Sequence, residues 1–309
     1  MKTTDFNHRV QIEKLIVEDH PTKVRIYDYL VGKLTTISSR KGIKKALSRN
    51  QVYLNGDLAK SGDFVRQGDA IVICENEIVQ HKDFDIELNV VYEDDELAVV
   101  EKPSGIPVSG NTFKTLQNAL PQHLKLSQAF DYLPAPLPVH RLDLLTHGLV
   151  VVAKTHSTRI NLGKQFEKRE VSKKYHAIVQ GRLQGKGSLN TSIEGKQAKT
   201  YFHSLGVYPS VKNKWISLIE LSPVSGRKHQ LRIHLSRLGF PIIGDQRYGE
   251  KGNTLKHKGL FLAAVGIQFQ HPKSGEIIDL NIPAPNKFQR FLEREEKWVQ
   301  RILERKKEV

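Results

Sequence analysis

Residues 138–155 read PVHRLDLLTHGLVVVAKT, a polar turn that opens into an unbroken apolar run. The run from Gly148 to Ala153 is short and rich in β-branched residues, so it predicts a strand buried on both faces. Asp143 stands at the mouth of that strand, with Arg141 two residues before it. A polar side chain on a loop at the rim of a rigid sheet is a favoured place for chemistry. An aspartate that caps a turn looks the same, and spacing alone favours the cap.

Around this stretch the chain alternates strands and helices. VVYEDDELAVVEKP predicts strands, TFKTLQNALPQHL a helix and THSTRINLGKQFEKREV another. KKYHAIVQG and WISLIELSP read as strands, and GRKHQLRIHLSRLG as a helix ended by Gly239. The tail from residue 286 places Phe288, Leu292, Val299 and Leu303 at helical spacing, an amphipathic helix expected to dock on the core.

The first quarter of the chain is organised differently. VRIYDYLVGKL puts Ile26, Leu30 and Leu34 on one helical face, and SSRKGIKKALSRN is a second, serine-started helix. QVYLNGDLAK breaks at Asn55-Gly56, a strong hairpin signal, before the strand RQGDAIVIC. The second helix and its flanks carry Arg40, Lys41, Lys44, Lys45 and Arg49 with no acid among them, a face suited to phosphates. ENEIVQHKDFDIELN is polar and reads as a linker. The expected division is a small domain at residues 12–78, a linker at 79–87 and a larger domain at 88–309.

A length of 309 residues fits two globular parts, and 39% apolar with 26% charged residues is the mix of a folded chain. A net charge of +15 points to a polyanionic partner, most often nucleic acid. A single cysteine, Cys74, excludes an intramolecular disulfide and a thiolate metal cluster, and suggests a reducing compartment. Its place in an alternating strand reads as packing. With no apolar leader and no membrane-length window, a cytoplasmic location and no membrane partner are expected.

No G-x-G-x-x-G, P-loop or H-E-x-x-H motif occurs, so neither a cofactor nor a metal is expected. On a helix, His229 and His234 would lie about 140° apart, too far to share one ion easily. What remains is Asp143 among bases: Arg227, Lys228, Arg232 and Arg237 at an expected helix start, and Tyr175 on a strand behind two lysines. An extruded base needs an aromatic to stack on, and a nucleic-acid backbone needs cations.

These residues carry a resemblance. HRLDLLTHGLVVVAKT resembles the H-R-L-D-x-x-T-S-G-L-L-x-x-A-K signature of the RluA family of RNA pseudouridine synthases. VSKKYHAIVQG is similar to the family's K-x-Y-x-A-x-V-x-G strand, and SGRKHQLRIHLSRLGFPIIGDQRYG to its T-G-R-x-H-Q-I-R-x-H-L...G-x-P-I-x-G-D-x-x-Y-G block. The likeness extends over roughly residues 88–285, and residues 24–75 resemble the S4-like RNA-binding domain carried by many members. His147 stands where serine is usual, Ser225 where threonine is usual, and Ala263 where a histidine often sits.

The resemblance implies an α+β fold: a helix-helix-hairpin RNA-binding domain, then a mixed, mainly antiparallel sheet of pseudouridine synthase type with flanking helices. It implies an isomerase that turns a uridine of RNA into pseudouridine without a cofactor. Large-subunit ribosomal RNA, or its precursor, is the commonest substrate and tRNA the next. Asp143 becomes the catalytic carboxylate, as nucleophile or as base at C2′, with Arg232 as its ion-pair partner and Tyr175 stacked on the flipped uracil. Arg141 fills the space that the base vacates. His140, Lys173, Arg227, His229 and Gln230 are expected to bind substrate, and the protein to be a monomer. Two other classes compete: a noncatalytic RNA-binding or ribosome-assembly factor, and a hydrolase. The first would not need Asp143, Tyr175 and Arg232 together, and the second normally uses two facing carboxylates.

Overall fold

A computed structural model of the chain describes residues 9–18, 23–37, 39–76, 84, 86–250 and 259–305. The first unit comprises β1 (Arg9–Ile16), β2 (Val24–Arg25), α1 (Ile26–Leu30), α2 (Arg40–Ser48), β3 (Val52–Leu54), β4 (Asp57–Leu58), β5 (Phe64–Val65) and β6 (Ala70–Asn76). Four strands form a sheet in the order β1-β6-β3-β4, and β2 pairs with β5. Asn55 and Gly56 adopt φ of 53° and 94°, as a two-residue hairpin turn requires. Ser39 caps α2 by accepting from the Gly42 N–H, and Ile43, Ala46 and Leu47 turn into a cluster with Ile26, Leu30, Ile71 and Ile73. This amphipathic spacing leaves Arg40, Lys41, Lys44, Lys45 and Arg49 exposed on the other side.

Two details differ from the sequence expectation. The first helix closes at Leu30, so Leu34 is buried from beyond its end. Strand β1 is an addition to it, because the register shift between Gln11 and Glu13 interrupts the alternation that would have signalled a strand. Of the expected linker, residues 84, 86 and 87 are described and the rest lies outside the described residues.

The larger unit runs β7 (Asn89–Glu93), β8 (Leu97–Lys102), α3 (Leu116–His123), β9 (Tyr132–Pro138), β10 (His147–Thr155), α4 (His156–Lys168), β11 (Ser172–Gln180), β12 (Lys186–Ile193), β13 (Lys196–Ser210) and β14 (Lys214–Pro223). It ends with α5 (Gln230–Arg237), β15 (Leu262–Gln270), β16 (Ile277–Asn281) and α6 (Asn286–Arg305). Ten strands form one sheet whose main path is β12-β13-β14-β11-β15-β10-β8-β7. All its pairs are antiparallel except β10 with β15, which meet in parallel at His147↔Ala263 and Gly148↔Ala264. A Cβ on Gly148 would sit 2.1 Å from the Ala264 carbonyl oxygen, and its φ is 124°, so this seam accepts only glycine.

Apolar side chains of β8, β10, α3 and α4 fill the core on one side of the seam, and those of β11, β14, α5 and α6 on the other, with β15 shared. Helix α6 docks through Phe288, Phe291 and Leu292, but Leu303 is 55% exposed, so the expected apolar stripe is covered only along its first half. Among the described residues no helix is long and apolar enough to cross a membrane.

Candidate active site

The apolar run of β10 is buried on both faces, which holds the turn before it at the rim of the sheet. There a cleft of about 650 Å³ opens between the Asp143 loop, the end of α4, the start of β11 and the segment leading into α5. The Thr146 N–H donates to the Asp143 carbonyl, and the Gly105 N–H and Ser104 hydroxyl donate to the carbonyls of Leu144 and Leu145. The loop is thereby braced from behind by the segment after β8.

Lys102 supplies the rest of that brace. It is fully buried, and its ammonium donates to the carbonyls of Pro103 (2.8 Å), Ile106 (2.7 Å) and Leu144 (3.3 Å). Burial pulls its pKa down to about 8, against the favourable field of Asp143. Sequence reading missed this residue, although a lysine closing an apolar strand before Pro-Ser-Gly is a visible anomaly. Lys102→Met should strand three carbonyls and slacken the loop, lowering kcat about 10- to 100-fold with little change in KM. Between about pH 8 and the ordinary value of 10.5 the unfolded chain binds the extra proton, so wild-type stability rises with pH across that window. The gap in urea midpoint between wild type and variant should therefore widen from neutral to alkaline pH; a gap independent of pH would contradict this account.

Arg232 forms the expected ion pair with Asp143 and has a second, tighter partner. Its Nη1 lies 3.6 Å from Asp143 Oδ2, but Nε and Nη2 donate to both oxygens of Asp245, at 2.7 and 2.8 Å. This two-pronged pair is the strong one, and the Asp245 side chain is fully buried. Burial would raise the Asp245 pKa, but the Arg232 bond and the N–H groups of Tyr248 and Arg247 outweigh it and hold it low. Burial opposes the Arg232 charge as well and is outweighed by Asp245 and Asp143.

His229 and Gln230 also differ from expectation. His229 adopts a left-handed φ of 55° as the residue that caps α5, so it does not lie on a face of the helix. Arg227 and Lys228 precede the helix too, and Arg237 ends it. The imidazole Nδ1 lies 2.9 Å from the Tyr248 hydroxyl and Nε2 3.8 Å from Asp143 Oδ1. Gln230 is buried and ties its loop to β13: its oxygen accepts from the Ser225 hydroxyl and the Arg227 N–H, and its amide donates to the Lys199 carbonyl and the Thr200 hydroxyl. It shapes the cleft rather than offering a free group to a substrate.

Tyr175 lines the same cleft as Asp143, and burial together with the Asp143 charge pushes its phenol well above the ordinary value. Lys173 lies on the wall with its pKa lowered by burial, and Arg141 is exposed at the mouth. Arg227 reaches back to the Gln197 carbonyl at 3.4 Å. His140 is committed elsewhere: Nε2 accepts from the Val151 N–H at 2.9 Å, its ring stacks on Phe166, and burial holds its pKa near 3. Its part is to fix the turn. Asp245 and Tyr248 lie in the stretch GDQRYG, which the sequence resemblance covers through its G-D-x-x-Y-G block but to which the sequence reading assigned no role. Among the described residues no group of three or more histidine, cysteine or carboxylate side chains could hold a metal.

The chain is similar to known proteins. The family model described as RNA pseudouridylate synthase matches residues 96–237. An uncharacterized RNA pseudouridine synthase of Aquifex aeolicus is 34% identical over 278 residues, spanning 81% of this chain and 87% of its own length. The ribosomal large subunit pseudouridine synthase D of Vibrio cholerae is 30% identical over 311 residues, spanning 90% and 93%. Human RNA pseudouridylate synthase domain containing 1 superposes with a TM-score of 0.55 at 26% identity, covering 64% of this chain and 84% of that one.

Proposed function

This chain belongs to the RNA pseudouridine synthase family, and on that premise we propose that it isomerises uridines of large-subunit ribosomal RNA with Asp143 as the catalytic carboxylate. One observation carries the reading. Asp143 lines the cleft beside Tyr175, and its neighbours Arg232 and His229 stand at 3.6 and 3.8 Å, close enough to orient the carboxylate yet too far to occupy its lone pairs. Such a carboxylate is held, oriented and still free to react.

In the reaction the C1′–N1 bond breaks, the uracil turns, C1′ bonds to C5, the C5 proton leaves and N1 gains one. Asp143 acts at C1′ as a nucleophile or at C2′ as a base. Tyr175 stays a neutral phenol through the physiological range, which suits stacking on uracil and excludes a phenolate base at neutral pH. Arg141 at the mouth and Lys173 on the wall suit the gap left by the base and the neighbouring phosphates. Flipping costs a few kcal/mol of unstacking, which contacts to the RNA backbone help offset.

Residues 12–78 are assigned the part of an accessory RNA-binding domain. The acid-free exposed face of α2 supports this, and the name of the Vibrio cholerae relative supports ribosomal RNA as the substrate. Both are tested on 5-tritiated transcripts of large-subunit ribosomal RNA and of tRNA. Tritium release from the ribosomal transcript is expected, and release from tRNA alone would overturn the substrate. In filter binding, Lys44→Gln with Lys45→Gln should reduce the log-log salt slope by about one for each phosphate that is no longer neutralised. An unchanged slope would remove α2 from the interface.

A further inference from the structure

We propose that Tyr248 is a positioning residue that fixes the proton of His229 on Nε2, so that the imidazole donates toward Asp143 from the side opposite Arg232. This rests on the reading of Asp143 as the catalytic carboxylate. The contacts form a closed ring. Asp143 Oδ2 faces Arg232 Nη1, Arg232 grips Asp245, Asp245 Oδ1 accepts from the Tyr248 N–H at 3.0 Å, the Tyr248 hydroxyl meets His229 Nδ1, and His229 Nε2 returns to Asp143 Oδ1. One tyrosine thus ties together the two arms that flank the carboxylate, its backbone on the arginine side and its hydroxyl on the histidine side.

The ring imposes a direction. If Nδ1 carried the proton, the Nε2 lone pair would point at an anionic oxygen, which is repulsive. With the Tyr248 hydroxyl donating to Nδ1, the proton resides on Nε2 and attracts Asp143. The Tyr248 ring is itself held, with the guanidinium carbons of Arg232 and Arg247 at 5.1 and 5.4 Å from its centroid. His229 reaches this place only through its left-handed backbone, a conformation that costs a non-glycine residue about 1 kcal/mol or more and is concentrated at functional sites.

The groups that act on His229 are Asp143 from its loop, the adjacent Lys228, Arg232 of α5, and Arg247 and Tyr248 from the following turn. Burial and the three cations lower its pKa against the pull of Asp143, so the imidazole is neutral where the enzyme works and its tautomer has to be chosen. Once protonated, it presents Nε2–H whether or not Tyr248 helps.

That last point gives the test. Tyr248→Phe keeps the ring and loses the donor, and should lower kcat about tenfold at pH 7.5. The ratio of variant to wild-type kcat should then recover to within about twofold as the pH falls through the range where the His229 ¹⁵N signals turn to those of an imidazolium, because the cation supplies the same proton. In ¹⁵N-labelled wild-type protein the His229 signal, assigned by its loss in His229→Gln, should show hydrogen on Nε2 and none on Nδ1 at neutral pH. A ratio flat with pH, or a proton found on Nδ1, overturns the proposal. Asp143→Asn is run beside them: if it keeps full turnover, the catalytic reading falls and this inference with it. If it is inactive while the ratio stays flat, this inference falls alone.

Discussion

Asp143→Asn is expected to abolish tritium release from C5 of uridine-labelled RNA, a loss of at least about four orders of magnitude in kcat, on a protein that melts within a few degrees of wild type. Asparagine keeps the outline of the side chain and the turn bond through its backbone, but it can neither attack C1′ nor take a proton from C2′. The small effect on stability follows from the pairing of Arg232. Were Asp143 its sole counter-charge, the substitution would leave a buried guanidinium alone; instead Asp245 holds it at 2.7 and 2.8 Å and remains in place. RNA affinity should stay level or rise slightly, because one negative charge has left the cleft. Undiminished release by a folded variant would refute the catalytic assignment.

Asp245→Asn should do nearly the reverse, costing stability as well as turnover. Its side chain is fully buried against Arg232, and breaking such a pair from one side typically costs about 3–5 kcal/mol. Freed from Asp245, the guanidinium can close the 3.6 Å gap to Asp143 and bond to the oxygen that has to react. We expect kcat to fall about 100-fold or more. The pH dependence has a definite sign. The Asp245 pKa is depressed in the folded state, so its contribution is complete above the unfolded carboxylate value and is lost as pH falls through the lower folded one. Urea midpoints of wild type and variant should differ most near neutrality and converge under acid. Equal midpoints at neutral pH would show that the pair contributes nothing.

The parts legible in the sequence are those whose chemistry is local. Strand β10 is visible because burial on both faces demands an unbroken apolar run, and α2 because a serine cap precedes an amphipathic period. Strand β9 escaped because Pro134, Pro136 and Pro138 argue against a strand, and it tolerates them by pairing with β10 alone. The β12–β13 hairpin is mostly half-buried or exposed, so its mixed sequence lacks the apolar run that full burial would impose. At the site, Asp143, Tyr175 and Arg232 do meet in one cleft, as their motifs suggested. The second partner of Arg232 and the αL turn at His229 were not legible, since one depends on a pairing between separate elements and the other on a backbone angle that no residue pattern announces, whereas the lysine that closes β8 stood out in the sequence and went unread.

The glycine seam at Gly148 also sets an order in time. Asp143 and its brace belong to the strands before the seam, while Tyr175, Arg232, Asp245 and Tyr248 all follow it in the chain. Each side has much of its own apolar core and can collapse locally, whereas the parallel contact that joins them closes a long loop and is the slow, non-local step. A nascent chain that has exposed Asp143 therefore holds a carboxylate without its arginine, its aromatic or its cleft, and acquires all three together when the second half arrives and locks against Gly148.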